Sequence, residues 1–161
     1  MKIALASDHR GVDAVEALVE FLRAEGHETV VLGECGGASC DYPDQAYRVA
    51  SAVRGGDARF GILVCGSGIG MSMSANKVRG VRAALVSEPA AAIASREHND
   101  ANVLCLSGDR SSRDDLHAIA LAFLGARFEG GRHERRVKKM AAIERGEDPT
   151  AMTSDERAAP A

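Results

Sequence analysis

The sequence predicts an α/β fold, a three-layer α/β/α Rossmann-like arrangement around a five-stranded parallel sheet. Strand-like and helix-like segments alternate from residue 2 onward. The strand-like segments are short, continuous apolar runs, the pattern of strands buried on both faces under helices. Polar, chemically capable residues also gather just after these runs: Asp8 and His9 after the first, Cys65 to Met71 after the third, Ser87 and Glu88 after the fourth, and Arg110 after the fifth. Open α/β sheets bind ligands at that edge, beyond the C-terminal ends of the strands.

The elements follow in order. Lys2–Ser7 is the first strand. Val12–Glu25 is a helix, because Val12, Val15, Leu18, Val19 and Leu22 form one apolar stripe and Gly26 stops it. Thr29–Leu32 is the second strand. Asp44–Val53 is helical and ends at Gly55-Gly56. Phe60–Cys65 is the third strand, followed by a glycine loop and a short helix near Ser72–Lys77. Arg82–Val86, Glu88–Glu97 and Asn102–Leu106 read as strand, Ala-rich helix and strand. Asp114–Leu124 and Val137–Arg145 are helices. Residues 1–145 form one domain, an ordinary size for a single core. Gly146 to Ala161 is polar, lacks apolar periodicity and reads as a flexible C-terminal tail.

Composition narrows the function. The chain has 161 residues, a net charge of -3 and only 4% aromatic residues. Neither a basic stripe for phosphate backbones nor a set of stacking rings is present, so a nucleic-acid partner is not expected. No apolar run approaches the roughly 20 residues of a membrane span. The N-terminus enters a strand without signal-peptide architecture, and the expected location is the cytoplasm. The four cysteines form no C-x-x-C pair, so the common zinc and thioredoxin spacings are absent. Cys35 and Cys40 flank a Gly-rich loop, and in a reducing compartment they are expected to stay unbridged. Cys105, inside an apolar run, reads as a small buried hydrophobe.

The most informative segment is Cys65-Gly66-Ser67-Gly68-Ile69-Gly70. A thiol ends a buried strand, and glycines let the following amides approach an anion. The spacing does not match the dinucleotide fingerprint, since Met71 stands where its third glycine would be. No Gly-Lys-Ser/Thr follows for a Walker loop. A plain strand-to-helix turn explains the glycines equally well, and most cysteines at such places only pack. His98 could simply favour the C-terminal dipole of its helix, and Asp8 could cap the helix after it. Arg132 and Arg136, four residues apart in a basic cluster, share one helical face, and arginine forks suit phosphate oxygens. A solvated charged face is the bland alternative.

Taken together and in order, several segments resemble type B ribose-5-phosphate isomerase and the wider ribose/galactose sugar-phosphate isomerase family. They are Ser7-Asp8-His9-Arg10-Gly11, Asp41-Tyr42-Pro43, Cys65 to Gly70, Ala75-Asn76-Lys77, Arg96 to Asn102 and Gly130-Gly131-Arg132-His133. The resemblance covers about residues 1–145 and implies aldose–ketose isomerisation with neither metal nor organic cofactor. It implies that His98 opens the sugar ring and that Cys65 moves a proton between C1 and C2 through a cis-enediolate. Some members use a later glutamate instead. Met71 stands at that position here, so the chain resembles the cysteine subtype. The resemblance further assigns the loop amides from Ser67 to Gly70, with Gly66, Gly68 and Ile69, to the enediolate, and Asp8 to hydroxyl protons. It assigns His9, Arg132 and Arg136 to the phosphate, and Tyr42, Asn99 and Arg110 to the sugar. It implies a homodimer or homotetramer whose site is completed by a second chain, acting on ribose 5-phosphate and ribulose 5-phosphate. Another phosphosugar (allose 6-phosphate, galactose 6-phosphate or a tetrose 4-phosphate) is the nearest alternative, and a non-catalytic phosphosugar-binding subunit a more distant one. The chain departs from the pattern in one place: the interval from His98 to Arg110 is one residue longer, around Ser107-Gly108-Asp109.

Overall fold

A computed structural model of the chain describes residues 1–33, 35 and 39–152. Its elements are β1 (Lys2–Ser7), α1 (Val12–Ala24), β2 (Glu28–Val31), α2 (Tyr42–Gly55), β3 (Phe60–Cys65), α3 (Ile69–Ala75), β4 (Ala83–Leu85), α4 (Pro89–Asn99), β5 (Val103–Ser107), α5 (Arg113–Gly125) and α6 (Arg132–Glu144). The five strands are parallel in the order β2-β1-β3-β5-β4. The predicted fold class and every predicted element are present.

Side chains alternate across the sheet and make two cores. Ile3, Leu5, Ile62, Val64, Leu104 and Leu106 pack with Leu18, Leu22, Ile119 and Phe123 of α1 and α5. Ala4, Ala6, Leu63, Cys65, Val103 and Cys105 pack on the other face with Ala46 and Val49 of α2 and Met71 and Ala75 of α3. Cys65 therefore projects toward the α2–α3 layer. Gly61 lies on the same face, and a Cβ there would fall 2.5 Å from Val49 Cγ1. Gly61→Ala is expected to destabilise the fold by about 1–3 kcal/mol through overpacking, read as a lower denaturant midpoint.

The edge strand β4 is held by two asparagines. The Ala83 N–H donates to Asn76 Oδ1, while Asn76 Nδ2 donates to the Ala83 carbonyl, at 2.8 Å each. Asn102 Oδ1 accepts the Arg82 N–H, and Asn102 Nδ2 donates to the Gly80 carbonyl. Side-chain amides thus stand in for a missing neighbour strand, so Asn76 has a structural role.

Most boundaries shift by a residue or two, and three of the shifts have a local account. α3 begins at Ile69 rather than near Ser72, because Gly68 turns the chain with φ +75, which an L side chain rarely adopts. α4 runs through Asn99, so His98 lies in its last turn. α6 begins at Arg132 rather than Val137; its first turn is charged and shows no apolar period, yet Glu134 and Lys138 pair at 2.7 Å along it.

Cys35 and Cys40 are disulfide-bonded, which corrects the expectation that they stay unbridged. Their Cα atoms lie 5.4 Å apart, inside bridging range. Within the segment read as a tail, Pro149–Ala151 forms a 3-10 turn, and Lys139 Nζ donates to the Pro149 carbonyl at 2.6 Å. Residues 153–161 of that segment lie outside the described residues. Among the described residues, no helix is long and apolar enough to cross a membrane.

Candidate active site

The topology places a crevice between β1 and β3. From β1 the chain passes to β2 on one side, then crosses to β3 on the other. The loops leaving the C-terminal ends of these two strands diverge there, as at the switch points where α/β sheets bind ligands. The β5 loop lies beside them. Its Gly108 N–H donates to the Cys65 carbonyl at 2.8 Å and its Asp109 N–H to the Gly66 carbonyl at 3.2 Å. The Ser107 hydroxyl donates to the same Gly66 oxygen at 2.6 Å. The thiol and its glycine turn are thereby fixed from β5 as well as from β3.

Cys65 is 4% exposed. Its Sγ accepts the Gly68 N–H at 3.1 Å, a contact that orients the sulfur toward the turn. Gly68 cannot be replaced without a clash, since a Cβ would fall 2.6 Å from Leu85 Cδ1 and 2.9 Å from the Leu106 carbonyl oxygen. The Ile69 N–H donates to Ser67 Oγ at 3.3 Å. The Tyr42 ring lies over Gly70, where a Cβ would meet it at 2.6 Å. Asp8, at 6% exposure, accepts the Arg10 N–H at 2.9 Å, so it shapes the β1 loop and does not cap α1. His9 and Arg110 are exposed on this edge. Cys105, in contrast, is fully enclosed; burial, then the neighbouring Cys65, pushes its thiol pKa up. It stays protonated and takes no part.

The remaining predicted residues lie at the opposite edge. The α4 C-terminus leads through Asp100 into the start of β5, where Val103 pairs with Gly61. Cys65 is four residues further along β3, about 13 Å at the usual strand rise. His98 and Asn99 are therefore at the N-terminal edge, away from the thiol of the same chain. The His98 ring is stacked on His133, with centroids 4.3 Å apart and planes 9° from parallel. Arg132 Nε donates to His133 Nε2 at 3.2 Å. Burial holds the His133 pKa below its ordinary range, aided by His98, Arg132 and Arg136 and opposed by Glu129. A neutral ring accepting from Arg132 accounts for this, and the 3.5 Å approach of Glu129 to the same nitrogen is then no ion pair with His133.

Ligand atoms of His98, Glu129 and His133 come within 4.8 Å of one another. The arrangement suits proton handling better than metal binding: face-to-face rings do not converge their lone pairs, and a guanidinium N–H already occupies His133 Nε2. A groove of about 530 Å³ opens near this edge, lined by Arg82, Asn99, Val137, Met140 and Ile143 among others.

Residues 3–140 match the family model described as Ribose/Galactose Isomerase. The chain belongs to the ribose/galactose isomerase family. Within the family, it is 43% identical over 143 residues to "Ribose-5-phosphate isomerase B" of Escherichia coli (strain K12), covering 89% of this chain and 96% of that protein. It is 45% identical over 146 residues to "Putative sugar phosphate isomerase YwlF" of Bacillus subtilis, covering 89% and 97%. Its fold is similar to that of Clostridium thermocellum ribose-5-phosphate isomerase B, with a TM-score of 0.89, 43% identity, and 91% and 99% of the two chains covered. It is also similar to the Mycoplasma genitalium ribose-5-phosphate isomerase B solved with bound ribulose 5-phosphate, with a TM-score of 0.85, 43% identity, and 89% and 96% covered.

Against this ribose/galactose isomerase background, two features were overlooked in the sequence and a third was read the other way. Arg10 pairs with Asp109 at 2.6 Å, and its Nε would lie 2.7 Å from a Cβ on Gly66, directly beside the thiol turn. The extra residue around Ser107-Gly108-Asp109 was the available signal. The Cys35–Cys40 bridge lies near the site too, since Cys35 Sγ is 3.5 Å from the Ser7 carbonyl. The His98–His133 stack had no signal, because it joins two helices distant in sequence.

Proposed function

We propose that the chain interconverts D-ribose 5-phosphate and D-ribulose 5-phosphate by proton transfer through a cis-enediolate. The observation that carries this reading is the thiol of Cys65, seated at the start of a glycine turn in the β1–β3 crevice and accepting the Gly68 amide. A carbon acid beside a carbonyl needs a base, donors for the developing oxyanion and a hydroxyl proton acceptor. Cys65 is the base. The Gly68 and Ile69 amides are engaged by Cys65 and Ser67, so the Ser67 and Gly70 amides, with the Ser67 hydroxyl, serve the enediolate oxygen. Buried Asp8 takes hydroxyl protons, and His98 opens the furanose ring. Tyr42, Asn99 and Arg110 contact the sugar, while His9, Arg132 and Arg136 hold the phosphate.

The separation of Cys65 from His98 supports a site shared between two copies. Two antiparallel copies related by a two-fold axis bring the N-terminal edge of one against the C-terminal edge of the other, twice. Exposed apolar Ile69, Met73, Leu85 and Ile93, on α3, β4 and α4, offer surface for that contact. The shared names of relatives at 43% identity favour ribose 5-phosphate over other phosphosugars.

Incubation with ribose 5-phosphate in deuterated water, followed by NMR, should show ribulose 5-phosphate forming and the C2 proton lost. An inert protein would overturn the reading. Arg132→Ala and Arg136→Ala should each raise KM about tenfold or more with a smaller fall in kcat, as expected for lost charge-assisted phosphate contacts. A KM unchanged in both would remove them from the phosphate site.

A further inference from the structure

His98 sits in an unusually elaborate mount. Two residues earlier in the same last turn of α4, Arg96 is 5% exposed, stacked on the Phe60 ring at 4.7 Å and near Phe123 at 5.7 Å. Arg96 Nη1 donates to Asp100 Oδ1 at 2.8 Å and to the Ala101 carbonyl at 2.6 Å. Arg82 grips the same corner, donating to the carbonyls of Asn99 and Asp100 and to Asp100 Oδ2 at 2.6 Å. Asp100 itself has φ 47, the one positive φ outside glycine among the described residues. In front, α6 presses His133 flat against the His98 ring. The Glu129 N–H donates to the Glu97 carbonyl at 3.1 Å, tying the segment before α6 to the α4 end.

This mount is costly. His133 is 4% exposed, and its Nδ1 is buried without a hydrogen-bond partner, as is Arg96 Nε. A buried polar atom left without a partner destabilises the fold, where an apolar side chain would not. The first of these two atoms lies in the ring stacked on the half-buried His98 imidazole, and the second lies at the end of the same helix as His98, which an account based on stability alone does not explain.

We propose that His133 is a positioning residue for His98: its enclosed ring, backed by the Arg96–Asp100–Arg82 corner, fixes the orientation in which His98 handles the ring-opening proton. The inference rests on the ring-opening role given to His98 above. In that step a proton reaches the furanose oxygen as its bond to C1 breaks, and the C1 hydroxyl loses one to leave the aldehyde. Ribulose 5-phosphate needs no such step, because its C5 hydroxyl carries the phosphate and cannot close a furanose ring. Ribulose 5-phosphate can still be converted to the open-chain aldehyde, which leaves and closes to the furanose in solution, so misorienting His98 slows consumption of furanose ribose 5-phosphate and spares consumption of ribulose 5-phosphate.

The test measures initial rates in both directions for four variants of the full chain. His133→Leu fills the volume without a flat ring; it should lower the initial rate of consumption of furanose ribose 5-phosphate by about 10- to 100-fold, the scale of a misplaced catalytic group, and that of ribulose 5-phosphate by less than about 3-fold. His133→Phe restores a stacking ring and should recover most of the loss. Asp100→Asn tolerates the same backbone conformation and should give a smaller asymmetry of the same sign, which keeps the proposal testable if the Leu variant does not fold. Equal losses in both directions for His133→Leu, no loss at all, or a Phe variant as poor as Leu would each overturn the positioning role. His98→Asn separates the two layers. If it shows no asymmetry, the ring-opening assignment is wrong; if it does and the His133 and Asp100 variants do not, only the mount falls.

Discussion

Cys65→Ala is expected to lower kcat by about 10³-fold or more, within the range that a positioned general base contributes. Phosphosugar binding should survive, because the proposed phosphate groups lie on other elements. Cys65 is 4% exposed and its sulfur accepts a hydrogen bond from the Gly68 amide. Its loss therefore leaves a small gap on the α2–α3 face without releasing a buried charge. Calorimetry of ribose 5-phosphate binding beside the rate separates the cases. Lost turnover with retained affinity fits the base, whereas turnover within about tenfold of the parent would move the base elsewhere. Cys105→Ala is the matched control: it removes a thiol from the same face that burial keeps protonated, and its effect should appear in stability rather than rate.

The second large effect is a recovery. Cys65→Ala and His98→Asn should each be nearly inactive in the ribose direction alone. Mixed after dissociation and reassembly, they should regain about a quarter of the parent activity, since half the dimers are mixed and each carries one intact site in two. The separation of some 13 Å along β3 motivates this, because no side chain of one copy spans it while also meeting a substrate on Cys65. Absence of recovery in a mixture shown by mass spectrometry to contain mixed dimers would mean that each site belongs to a single chain. The exposed side chains Ile69 and Met73, half or more accessible in one chain, should become protected from solvent labelling at the concentrations where activity appears.

Most of the fold was legible because its signals are local. Continuous runs such as Phe60–Cys65 and Val103–Leu106 mark buried strands, and the Val12–Leu22 stripe marks a helix that faces one layer. Boundaries slipped where local pattern and structure part. The first turn of α6 is charged, with Glu134 paired to Lys138, and carries no apolar period, and the start of α3 depends on a left-handed glycine. The thiol turn was visible as a chemical oddity, but taken alone it was as consistent with packing as with catalysis.

By itself, the amino-acid sequence determined the layer architecture, the residue types available for chemistry and the family, because strand burial, helix periodicity and ordered motifs are written within short windows. Only the tertiary structure decided how those residues group. It set Cys65 with Asp8, Tyr42 and the Arg10–Asp109 pair at one edge, and His98 with His133 and the arginines at the other. It also joined Cys35 to Cys40. The reason is topological: a helix crossing a parallel sheet returns the chain to the edge opposite its start, so the two ends of α4 lie a full strand apart. Which edge a residue occupies follows from the count of crossings and the exact end of a helix, and no local window contains either.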